Sequence, residues 1–164
     1  MKDLISGIIE LLENERNVYD AFLFLAKKKK DVILENNIHE LDEIVKAEHV
    51  LFAQLGALER NRIRNMTEVA RAAGTHVDEI SMTELYEMAS GEQRARINEI
   101  SEGITRTVEE QLKYHTINKQ LITKNLEYVN HMLNIVTDDE SAGVYKIDGT
   151  STASHRQILL DEKV

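Results

Sequence analysis

Apolar residues recur along the first part of the chain at alternating steps of four and three. Leu4, Ile8, Leu11, Glu15, Val18, Phe22, Leu25, Lys29 and Val32 form one seam of mean period about 3.5, broken only at Glu15 and Lys29. Ile5, Leu12, Tyr19, Ala26 and Ile33 widen it on one side. This predicts a long helix over about 2–35. Asn36-Asn37 interrupts the pattern, and Asn37 with Glu40 three residues on has the form of a helix N-cap. A second helix is predicted over 38–73, with the seam Leu41, Val45, Glu48, Phe52, Leu55, Leu58/Glu59, Arg62, Met66 and Val69, and Gly74 as its stop.

Laid antiparallel, the two seams fit when residue i faces residue 77−i. Val32 then meets Val45, Leu25 meets Phe52, Phe22 meets Leu55, Leu11 meets Met66 and Ile8 meets Val69. The same register sets Lys29 against Glu48 and Glu15 against Arg62, so each polar break meets an opposite charge. Ser81-Met-Thr-Glu84 is a capping box before a short helix over 82–89, and Ser90-Gly-Glu-Gln93 opens a last long helix over 91–137. Residues 138–164 turn rich in Asp, Ser, Thr and Gly and read as a mobile tail. The expected fold is all-α: an elongated antiparallel bundle of three long helices plus one short one over residues 1–137, followed by that tail.

The last helix carries two stripes. One runs Ile97, Ile100, Ile104, Val108, Ile122, Val129, Leu133 and Val136, with Gln111, His115 and Asn118 as its polar members. The other runs Tyr114, Ile117, Leu121, Tyr128, Met132 and Ile135. From Leu121 to Val136 the apolar arc approaches about 180°, where a helix packed on one side needs only about 100°. Either the first two helices cover one stripe each, or the second stripe is a face for a partner helix. The spacing leaves both open.

Composition narrows the chemistry. The 164 residues include no proline, cysteine or tryptophan and seven glycines. About eight prolines would be ordinary at this length, and their absence suits long helices. Without cysteine there are no disulfides, thiolate metal sites or cysteine nucleophiles. A formal charge of −9 disfavours nucleic acid as a partner. No apolar run is long enough for membrane insertion, and Met1 to Leu12 does not read as a signal peptide, so a cytoplasmic location is expected.

Sites of catalysis are hard to assemble. Bundle di-iron centres need Glu-x-x-His, but the residues three before the six histidines are Asn36, Lys46, Ala73, Leu112, Tyr128 and Thr152, none acidic. Glu127 and His131 share a face without further ligands. There is no GxGxxG or GK[ST] loop, and Asp148-Gly149-Thr150 reads as a tail turn. Arg60, Arg62 and Arg64 could suggest dicarboxylate binding, but Arg60 and Arg62 point about 160° apart on a helix. Lys27 to Lys30 reads as a solvated helix end with Glu35, Asp42 and Glu43 across the turn. No enzyme, metal or cofactor is expected.

Features spread along the chain resemble flagellar export chaperones of the FlgN type. They are Leu11-Leu12-Glu13-Asn14-Glu15, then Tyr19, Leu23-x-Leu25 and the lysine-rich end. In the second helix they are Leu41-x-x-Ile44, Glu48, Leu51, Leu55, Leu58-Glu59 and Arg62. Asn118-Lys119-Gln120-Leu121-Ile122 resembles the family's Asn-x-x-Leu-Leu/Ile run, and Tyr145, Gly149 and Leu159-Leu160-Asp161 its tail. His115 departs from the pattern, where the family often has a further asparagine. The resemblance implies a cytoplasmic chaperone without catalysis. It would bind the C-terminal helical segment of hook-associated proteins and keep them export-competent for the flagellar type III apparatus, with the export gate as a second partner. Tyr114, Ile117, Leu121, Tyr128, Met132 and Ile135 are the expected partner-binding residues. The alternative is a coiled-coil adaptor that forms a homo-oligomer through the same stripe.

Overall fold

The structure, a computed structural model, describes residues 2–74 and 81–142, with side chains as far as Thr137. Every element among the described residues is a helix: α1 (Lys2–Leu34), α2 (Ile38–Ala73), α3 (Met82–Met88) and α4 (Gly91–Ala142). The chain divides into one unit up to Lys124 and a second from Asn125.

Local chemistry sets the helix ends. Asn36 takes a left-handed turn with φ 53°, a conformation asparagine tolerates, and Asn37 caps α2 by accepting from the Glu40 amide at 3.2 Å. Gly74, at φ 72°, closes α2 by donating to the carbonyls of Ala70 and Arg71. Ser81 and Glu84 form a reciprocal capping box on α3. Ser90 and Gln93 do the same on α4: the Ser90 amide donates to Gln93 Oε1, and the Gln93 amide donates to Ser90 Oγ. The α4 helix passes the boundary expected at 137 and runs to Ala142, since Asp138 to Ala142 contains no breaker and the next glycine is Gly143. The tail features Tyr145, Asp148-Gly149-Thr150 and Leu159-Leu160-Asp161 lie outside the described residues.

Within the first unit α1 and α2 run antiparallel in the expected register. Lys29 Nζ donates to Glu48 Oε2 at 2.5 Å and Arg62 Nε to Glu15 Oε1 at 3.2 Å. The aromatic contact falls one turn off level: Phe22 and Phe52 form a tilted pair 4.7 Å apart. Phe52 is nevertheless 63% exposed and Val45 37%, so the middle of α2 is covered on one edge only.

Both polar partners at Glu15 sit low in water. Burial raises the Glu15 carboxyl above its ordinary value, and Arg62 pulls it back only in part. Burial also works against the Arg62 charge, but Glu59 and Glu15 together outweigh it and raise its pKa. Arg62 has two carboxylates and gains, whereas Glu15 shares one guanidinium with Glu59 and does not recover its desolvation.

α4 packs along the other side of α1, and its contacts ascend both helices together. Gln93 Nε2 donates to Lys2 O and Ser6 Oγ, Arg96 pairs with Glu13, Thr107 donates to Asp20, and Asn118 Nδ2 donates to Ala26 O at 2.9 Å. The flank residues Ile5, Leu12 and Ala26 are therefore as buried as the seam. Gly103 makes room for Arg16, whose Nε would stand 2.9 Å from an added Cβ. The densest core gathers Ile5, Ile8 and Leu12 of α1, Val69 and Ala70 of α2, Leu85 of α3, Ala89, and Ile97 and Ile100 of α4. Leu85 makes the seven-residue α3 a plug, and Arg94, which donates to Ala89 O and lies 5.5 Å from the Tyr86 ring centre, ties it to α4.

Candidate partner-binding face

The fate of the α4 stripes changes along the helix. In the first unit Ile97 and Ile100 are buried, and Ile104 and Val108 half-buried. The polar members of that stripe stay on it: Asn118 is buried with its amide nitrogen on Ala26 O, and its Oδ1 has no partner among the described residues. The assignment of its two amide atoms follows from the carbonyl it must donate to. Asn118 lines a cleft of about 300 Å³ with Gln111, His115, Ile122 and the Lys29–Glu48 pair. Tyr114 is half-buried under the Lys27 ammonium, 5.6 Å from its ring centre. Leu121 is half-buried and Ile117 39% exposed.

From Asn125 onward the picture reverses. Tyr128 is 64% exposed, Met132 43% and Ile135 46%. The other stripe is equally open, at Val129, Leu133 and Val136. Both stripes are thus exposed over Leu126 to Val136. Leu126, 59% exposed, belongs to the same surface and was missed by the stripe reading. Its signal was available: Ile122, Leu126, Val129, Leu133 and Val136 step by four, three, four and three.

A second apolar surface lies on the α1–α2 hairpin, in a cleft of about 380 Å³ lined by Ala21, Phe24, Leu25, Ala47, Val50 and Leu51. Phe24 stands outside the α1 seam, so the seam spacing did not point to it.

The charged candidates are absorbed by structure. Lys27 pairs with Glu110, Lys28 with Glu40, Lys29 with Glu48 and Lys30 with Asp31. The lysine run is neutralised, though not by Glu35, Asp42 or Glu43; the last two pair with Lys46. Arg62 is taken by Glu15 and Glu59, and Arg64 bonds to Asn61, so these two arginines do not share a partner. No group of three or more metal-binding side chains occurs among the described residues, Glu127 and His131 included. No described helix is long and apolar enough to cross a membrane.

No curated protein and no solved structure matches the chain. A family model described as FlgN protein matches residues 1–153. A chain matched over that length, and helical in every element among its described residues, belongs to the FlgN family of flagellar export chaperones.

Proposed function

We propose that the chain is a cytoplasmic binding protein without catalytic activity. It captures the C-terminal helical segment of a hook-associated protein on α4, keeps it soluble and releases it to the flagellar export gate. The observation that carries this reading is the set of seven apolar residues between Leu126 and Val136 that are each 43% exposed or more. Soluble chains seldom leave so contiguous an apolar patch in water unless something binds there. An unassembled export subunit has the complementary need, since an amphipathic segment without its assembly partners aggregates.

Tyr128, Met132 and Ile135 are the proposed anchors. Tyrosine brings a large rigid surface with a wet hydroxyl, and methionine adapts its shape to different helix faces. Tyr114, Ile117 and Leu121 precede them on the same helical spacing. The scaffold is the three-long-helix arrangement of α1, α2 and α4, closed by α3. Binding without covalent chemistry leaves release to a competing surface at the gate.

The test is capture of a hook-associated C-terminal segment by Tyr128→Ala/Ile135→Asp. Loss of two anchors should weaken binding about 100-fold or more, with helicity by circular dichroism unchanged. Unaltered capture would sink the proposal. Sedimentation of the free chain addresses the adaptor alternative, which requires a stable oligomer that the same substitutions dissolve.

A further inference from the structure

Seven apolar side chains between Leu126 and Val136 form a surface too wide for one helix. Taken around the helix axis they run Ile135, Tyr128, Met132, Val136, Val129, Leu133 and Leu126, and at about 100° per residue they span an arc of about 180°. The opposite half carries Glu127, Asn130, His131, Asn134 and Thr137. No polar residue from Leu126 to Thr137 falls inside the apolar arc.

A single helix lying on α4 would bury a stripe of about 100° and leave the remainder in water. The residues sort instead into two seams. Leu126, Val129, Leu133 and Val136 step by three, four and three. Tyr128, Met132 and Ile135 step by four and three. Each is the alternation that accepts knobs from one neighbouring helix. Both are open: Leu133 is 56% exposed on one and Tyr128 64% on the other.

We infer that the partner lays two amphipathic helices on this part of α4, one in each seam, so that α4 becomes the third member of a three-helix packing. This rests on the proposed function and specifies the partner's form: a helical hairpin or a pair of helices, each apolar along the side facing α4. A second and third copy of this chain could fill the same two seams, but every copy brings a formal charge of −9. Self-repulsion of that size favours a partner over self-association.

The experiment titrates the full chain with the C-terminal segment of a hook-associated protein in a calorimeter. Two edge variants are compared, Leu126→Gln with Leu133→Gln, and Tyr128→Gln with Ile135→Gln. Glutamine keeps helix propensity, and all four positions are exposed, so the fold should persist; circular dichroism and the melting midpoint check it. Each edge variant should bind at least tenfold more weakly than the unsubstituted chain, and the fourfold variant should not bind. Affinity within twofold of the unsubstituted chain at either edge means one helix suffices, and overturns the inference while the proposed function stands. No binding by the unsubstituted chain overturns both. A free chain that sediments as an oligomer, and becomes monomeric in either edge variant, assigns the seams to further copies and also overturns it.

Discussion

The α1 helix and the far part of α4 carry similar apolar patterns and meet opposite fates. Along α1 the seam and its flank are buried or half-buried, with Ile5 at 1% and Ile8 at 0%. From Leu126 to Val136 two seams of the same period stand in water. Periodicity is a property of one helix, because it follows from 3.6 residues per turn. Coverage is a property of two surfaces, and along α1 the described residues supply both.

That comparison can be broken by substitution. Ile8→Ala should cost about 3 kcal/mol, as removal of a fully buried aliphatic side chain does. Leu133→Ala should change stability by less than about 0.5 kcal/mol in the free chain. Urea midpoints of the two variants give the contrast directly. Equal losses would mean that the far part of α4 is covered in solution. Arg62→Met should rank close behind Ile8→Ala, at about 3 kcal/mol, because it strands the buried Glu15 carboxylate.

The Glu15 shift sharpens the point with a sign. Its folded pKa stands above the ordinary carboxylate value, so its contribution is fully present below the unfolded pKa. That stability is lost as pH rises through the folded pKa. Glu15→Gln should remove this step from the stability–pH curve and leave neutral-pH stability close to the parent. A parent curve without such a step, or a large neutral-pH loss in the variant, would count against burial as the dominant influence. A small effect is also expected for Gly103→Ala. The helix gains about 1 kcal/mol from alanine, and Arg16 must shift a flexible side chain to admit the Cβ. Thermal midpoints should agree within a few degrees.

The sequence made some features plain because their causes are local. Caps at Asn37, Ser81 and Ser90 depend on a side chain three residues from its partner. The stop at Gly74 depends on one backbone conformation. The hairpin register was legible because two ion pairs at fixed separation, Glu15–Arg62 and Lys29–Glu48, permit few alignments. Other features depend on a third element. The lysine run finds Glu110 on α4 because α4 lies beside α1 there, which no α1 spacing encodes. Asn118 lies buried on Ala26 O for the same reason. The open arc belongs to this second class. Its width could be read from spacing, but its emptiness could not.

The densest core joins Ile5 and Ile8 to Ile97 and Ile100. During synthesis the first helix must wait for some ninety further residues before that core can close, and the α1–α2 hairpin can pair meanwhile. Leu126 to Val136 then follow as the last apolar stretch among the residues with described side chains. The nascent chain can therefore complete its own core before its stickiest surface leaves the ribosome, so the order of emergence itself guards against the wrong pairing of seams that share one period.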